Sequence, residues 1–259
     1  MQAQKVFFCH VMKTGGTNLS WPVRKSMAPE QYFPHKKDYR FVDGRLDLRH
    51  HFSVAYLTSL PAERRREIQV YAGHYPFFAV EALGDVLGEQ LATLAILRDP
   101  VERTLSLLRV YGRPGAWVGE QAKDWPMRSW PLERLYEDPE AFEPLIHNHQ
   151  TRVFSVTAAD GVDTYRDVID LDESRLAQAK RNIETLDVLG VNERYGDLLA
   201  DVSARFGWDV PTDTRRNPAP GGDPRPASAA FRRRIAEDNA FDVELHEHAK
   251  ELVAARHRS

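Results

Sequence analysis

A short apolar run, Lys5-Val6-Phe7-Phe8-Cys9-His10-Val11, passes directly into Met12-Lys13-Thr14-Gly15-Gly16-Thr17-Asn18-Leu19. The run has the β-branched and aromatic make-up of a strand covered on both faces. The residues from Thr17 to Met27 have helical composition, with Pro22 expected either to kink the helix or to stand in its first turn. A strand, a glycine pair and a helix in that order bring free backbone N–H groups and the positive end of a helix dipole to one point. Gly15 and Gly16 let the backbone approach an anion closely. Lys13 adds a mobile cation, Thr14 and Thr17 add hydroxyl donors, and Asn18 follows them. A glycine pair alone is also just a tight turn; set between Lys-Thr and Thr, it points to anion binding.

The rest of the chain supplies the sheet around this unit. Ile68–Tyr71, Leu91–Leu97 (LATLAIL) and Leu186–Val191 (LDVLGV) read as further strands, and residues 29–50 as polar and irregular. Helical patterns cover 100–111, 132–152, 172–184 and 193–206, then a short segment from Ser228 and a longer one from Phe241 to Ala255. The start of helix 100–111 is well marked, with Asp99 as N-cap, Pro100 in the first position and Glu102 at capping-box spacing. Strands alternating with helices predict an α/β fold, a central parallel sheet flanked by helices, as a single domain over residues 1–259. Cys9 is the only cysteine, so no intrachain disulfide and no cysteine-based metal cluster can form. A net charge of −3 argues against nucleic acid or another long polyanion as the partner. The chain has neither a signal-peptide layout nor an apolar run of membrane-span length, and a cytoplasmic enzyme is the expectation.

Two further strand ends carry chemistry. Arg98 leaves the end of Leu91–Leu97 beside the capped helix, and Ser106 stands two helical turns on. Ligands of open parallel sheets bind beyond the carboxyl ends of the strands, where a guanidinium can clasp a phosphate bidentately. Arg98 could equally pair with Asp99 or Glu102 and only trim the helix. His74, in Tyr71-Ala72-Gly73-His74-Tyr75-Pro76-Phe77, lies just past the second strand and is expected to face the same crevice. Imidazole titrates near neutral pH and can take a proton from an alcohol.

These segments resemble the sulfotransferases that use 3′-phosphoadenosine 5′-phosphosulfate (PAPS), and within them the glycan O-sulfotransferase branch. The first loop resembles their PKTGGT loop, in a strand of the type FFxHIPKTGGTSL, with Met12 where proline is usual. Leu97 to Ser106 resembles L-R-D-P-x-x-R-x-x-S, and Gly73-His74 resembles the G-H-x-x-[FY] segment of the catalytic base. Asn148-His149-Gln150-Thr151-Arg152 is similar to the family's N-x-Q-T-R helix. Residues 179–208 look like its closing strand and helix, and Asn239 to Leu245 like its N-x-x-D-x-x-L-Y ending, with His246 in place of tyrosine.

The resemblance implies a three-layer, P-loop-like fold. It implies PAPS as donor, held at its 5′-phosphosulfate by Lys13, Thr14, Gly15, Gly16, Thr17 and Asn18 and at its 3′-phosphate by Arg98 and Ser106. His74 would be the general base and Lys13 would also act in catalysis, with no metal. Arg215 and Arg216 would be secondary donor contacts in the closing loop, or simply a solvated basic loop. The acceptor would be a hydroxyl on a sugar, glycan, lipid headgroup or natural product.

Two other readings remain open at this stage. A P-loop NTPase or kinase would need G-x-x-x-x-G-K-[ST], which is absent, and LATLAILRD resembles a Walker B strand only superficially. A nucleotide-binding protein without catalysis would use the same fold. His147 and His149 point to different helix faces, and like His246 and His248 they read as structural or as donor-side polar groups. Trp117, Trp125 and Trp130 read evenly as a packed lid or as a surface for a ring-bearing acceptor.

Overall fold

The computed structural model describes residues 4–111, 130–211 and 226–258. Five parallel strands form the central sheet: β1 (Val6–Cys9), β2 (Tyr32–Phe33), β3 (Val70–Gly73), β4 (Ala92–Leu97) and β5 (Val188–Val191), in the spatial order β2-β3-β1-β4-β5. Along β1, Phe7 and Cys9 face one side and Val6 and Phe8 the other, and all four are buried, as a two-sided apolar run demands.

Helices cover both faces. On one side lie α1 (Gly16–Lys25), with Leu19 and Val23, and α6 (Tyr195–Phe206), with Leu198, Leu199 and Val202. On the other lie α2 (Ala79–Leu87), α4 (His149–Ser155), α5 (Glu173–Glu184) and α8 (Ala240–Arg256). The helix α3 (Pro100–Tyr111) buries Leu105, Leu107 and Leu108 in a separate cluster with Met12, and α7 (Ala229–Asp238) adds Phe231 and Ile235 to it. The α/β expectation therefore holds. Among the described residues no helix is long and apolar enough to cross a membrane.

Some local expectations change. Pro22 stands in the interior of α1, where it withholds the N–H that the Asn18 carbonyl would otherwise accept. Residues 29–50 contain β2, an edge strand of two residues paired with β3, and a two-residue hairpin, Phe41–Val42 with Arg45–Leu46. The helical pattern over 132–152 is broken into short pieces, Leu132–Tyr136, Pro139–Ala141, Phe142–Ile146 and α4, with Asn148 left-handed at φ 44° between the last two. α2 follows β3 in a stretch where the sequence pattern predicts no element.

The strand register sets up the site. Cys9 pairs with Gly73 and with Ala95, and Leu97 pairs with Val191. The residues that follow the last pairing position of β1, β3, β4 and β5 are His10, His74, Arg98 and Asn192. All four emerge at the carboxyl edge, and the chain crosses from one side of β1 to the other between β3 and β4, the kind of reversal where such sheets bind ligands.

Candidate functional site

The loop after β1 is shaped from both sides. Lys13 and Gly15 have positive φ, 66° and 99°. The carbonyls of three successive residues are held by neighbours: Lys13 by Arg98 Nη1 at 3.2 Å, Thr14 by Asn192 Nδ2 at 2.8 Å, and Gly15 by the Tyr195 hydroxyl at 3.4 Å. In a planar trans peptide the next N–H points opposite to the carbonyl. The N–H groups of Thr14, Gly15 and Gly16 therefore point away from the partners of the carbonyls before them. Both glycines are required by close approach. A Cβ on Gly15 would collide with the Asn192 amide, and one on Gly16 with the His10 and Phe8 rings.

Beneath, the Thr14 hydroxyl donates to the Val11 carbonyl at 2.9 Å. Thr17 is exposed and Asn18 half-buried. Met12, the departure from the family's proline, is buried against α3, so the loop is anchored by apolar contact instead of by a ring.

His74 lies beside this loop. Its Nδ1 donates to the His10 carbonyl at 2.5 Å. A carbonyl only accepts, so Nδ1 carries the proton, and in the neutral imidazole Nε2 keeps its lone pair. The ring is boxed by His10, Phe52 and Tyr165, with centroids at 4.7, 5.0 and 5.5 Å. Burial pushes its pKa down to about 4 against the pull of the His10 carbonyl, and the Lys13 ammonium lowers it further. His74 is thus neutral at physiological pH. His10 stacks on Phe8 and is held well below its ordinary pKa by burial, by His74 and by Lys13.

Arg98 sits across the loop. Besides its bond to Lys13, its guanidinium comes within 4.0 Å of Glu102, the pairing that sequence left open, at the outer limit of an ion pair. Asp99 caps α3, accepting from the Glu102 N–H at 2.9 Å, and its own N–H donates to Glu193 at 2.9 Å. That geometry gives Asp99 a capping role in place of the metal-holding role a Walker B strand would require. Ser106 is half-buried two turns along α3. Arg215, Arg216, Trp117 and Trp125 lie outside the described residues; Trp130 packs under the Arg134 guanidinium at 3.7 Å.

The structure thus brings Lys13, Thr14, Gly15, Gly16, His74 and Arg98 to one edge of the sheet. It adds His10, Asn192, Tyr195 and Phe52, which sequence reasoning missed. His10 and Asn192 carried a usable signal, since each directly follows an apolar strand, as His74 and Arg98 do. Of the remaining histidines, His246 bonds Glu193 at 3.0 Å, His248 bonds Glu184 at 2.8 Å, and buried His149 lies 3.3 Å from Arg152. A cavity of about 750 Å³ lined by Gln90, Leu91, Thr93 and Asp187 opens at the opposite, amino-terminal ends of β4 and β5.

Four imidazoles around this site are held below their ordinary pKa chiefly by burial: His10, His51, His74 and His149. Unfolded, each titrates near 6.5. Between the folded and unfolded values the unfolded chain binds more protons, so stability is full above about pH 6.5 and is lost as pH falls toward the folded values. Those are about 4 for His51 and His74. Urea-denaturation midpoints are expected to decline steadily from about pH 7 to about pH 4.5, and a flat profile would show that these rings titrate normally.

No family model matches the chain. Heparan-sulfate 6-O-sulfotransferase 2 of Danio rerio is 25% identical to it over 277 aligned residues, which cover 97% of this chain and 58% of that protein. The chain therefore spans little more than half the length of this curated relative. A solved structure, the sulfotransferase from Alicyclobacillus acidocaldarius, aligns with 97% of this chain and 96% of its own at 17% identity, with a TM-score of 0.47. The motifs read from the sequence and the similarity to that heparan-sulfate sulfotransferase over 97% of this chain agree in likening the chain to sulfotransferases of the glycan O-sulfotransferase branch.

Proposed function

We propose that this chain moves a sulfuryl group from PAPS to a hydroxyl of a carbohydrate or small-molecule acceptor, with His74 as general base. The observation that carries this reading is the bond from His74 Nδ1 to the His10 carbonyl, which leaves Nε2 unprotonated beside a loop built to hold an anion. The residues fit such a donor. The loop has N–H groups turned away from the partners of its carbonyls, two glycines whose Cβ atoms would be blocked, and a lysine, and Arg98 offers a second cation at a neighbouring strand end.

PAPS, when bound, supplies the activated sulfuryl group. The chain's part is to hold it between residues 13–18 and Arg98 with Ser106, and to present His74 Nε2 to the acceptor hydroxyl. Lys13 contributes a cation where charge develops on the leaving oxygen. A depressed histidine pKa keeps the base unprotonated before donor binds. The negative charge of a bound donor then raises that pKa and strengthens the base.

Calorimetric titration with adenosine 3′,5′-bisphosphate, against ATP and without added metal, tests the reading. Tight binding of the bisphosphate with little binding of ATP is expected. Preference for ATP would overturn the proposal in favour of phosphoryl transfer, and binding of neither would remove the donor from it.

A further inference from the structure

We propose that Gln150 is a positioning residue that aims Arg98 at the 3′-phosphate of the donor; this rests on the reading of Arg98 given above. Arg98 is the first residue beyond β4, where a strand's own ladder ends. The Gln150 side chain grips its main chain at both polar atoms: Oε1 accepts from the Arg98 N–H at 3.0 Å and Nε2 donates to the Arg98 carbonyl at 2.9 Å. A single amide making both bonds fixes the Arg98 peptide units on either side, and with them the direction in which the side chain leaves. A planar guanidinium clasps phosphate well only when it is aimed.

Gln150 itself is fully buried and cannot drift. Its N–H donates to Asp242 Oδ2 at 3.1 Å, and the next N–H, of Thr151, donates to Asp242 Oδ1 at 2.7 Å. In return Asn148, just before α4, accepts from the Asp242 N–H at 3.1 Å, and the Asn148 N–H donates to Asn239 Oδ1 at 2.8 Å. The amino ends of α4 and α8 therefore cap each other. This gives the Asn148-to-Arg152 and Asn239-to-Asp242 motifs one physical purpose, a rigid mount for Gln150 and through it for Arg98.

The test compares the affinities of adenosine 3′,5′-bisphosphate and adenosine 5′-monophosphate in wild type and in Gln150→Met, a variant of similar length without the amide. The wild type is expected to prefer the bisphosphate. Gln150→Met is expected to lower that preference about tenfold, as the loss of aim at one charge-assisted contact implies, with the monophosphate affinity unchanged. A general loosening of the fold would weaken both nucleotides together and leave their ratio intact. Gln150→Glu keeps an oxygen for the Arg98 N–H but cannot, when ionised, donate to the carbonyl. It serves if the Met variant does not fold, and the same narrowing is expected of it. A folded variant with the wild-type ratio overturns the inference while leaving the 3′-phosphate reading of Arg98 intact. A wild type with no preference overturns that reading, and this inference with it.

Discussion

Replacing His74 with alanine is expected to lower turnover by about 10²–10⁴, the usual worth of general-base help, while affinity for adenosine 3′,5′-bisphosphate stays near that of the wild type. The split follows from the geometry. The loop carbonyls of Lys13, Thr14 and Gly15 are held by Arg98, Asn192 and Tyr195, none of which depends on His74, so the anion-binding turn survives the substitution. What is lost is Nε2, the one atom left unprotonated by the bond to the His10 carbonyl.

His74→Asn makes the comparison sharper, since its amide can still donate to that carbonyl but offers no base. It is expected to be as slow as the alanine variant. Full turnover in the alanine variant would remove His74 from the mechanism; full turnover in the asparagine variant alone would reduce it to a spacer. The pH profile adds a second handle. In the free protein His74 titrates near 4, so the acid limb of kcat/KM is expected there. The acid limb of kcat is expected at higher pH, because an anion in the neighbouring loop favours the imidazolium.

Much of this site could be read from the sequence because its parts follow apolar strands. β1, β3 and β4 are runs of buried residues, and the Asp99 cap of α3 forms as its spacing predicts. Lys13, His74 and Arg98 stand just beyond three such runs. What stayed hidden depends on register and on distant partners. The bond between His74 and His10 joins residues 64 apart, and it exists only because β1 and β3 are neighbours with Cys9 opposite Gly73. β2 has two residues, too few for any alternation to show. The break of the 132–152 pattern at Asn148 has its cause 91 residues away, in the Asn239 side chain that holds the Asn148 N–H. Local propensity carries no trace of such a bond. Met12 stands where the family has proline, and the sequence does not show that its burial in one cluster with Leu105 and Leu108 supplies an anchor in place of the ring.

The same cross-capped helices account for the largest stability effect expected of a single polar substitution. Asp242 is fully buried, and its two oxygens accept separate backbone N–H groups of α4. It also faces two buried arginines. Burial brings the pKa of both Arg103 and Arg152 down to about 10, with the Asp242 charge acting against that fall. Arg103 and Arg152 are otherwise occupied with carbonyls of residues 143–147, which soften but do not neutralise their charge. Asp242→Asn keeps the shape, yet it must turn an NH₂ toward one of the two N–H donors and it removes a buried charge that opposes both arginines. The expected loss is about 3–5 kcal/mol, in the range found when one side of a buried charge arrangement is removed. For a chain of this size that lowers Tm by on the order of 10 °C. Glu244→Gln, two residues along the same helix, is the control, since Glu244 is 56% exposed and pairs with Lys180 across the surface. It is expected to cost less than about 1 kcal/mol. If Asp242→Asn melts with the Glu244→Gln control, the two helix ends are held by packing alone. If it melts well below, the mount that carries Gln150 and Arg98 is electrostatic, and the donor site is only as firm as one buried carboxylate.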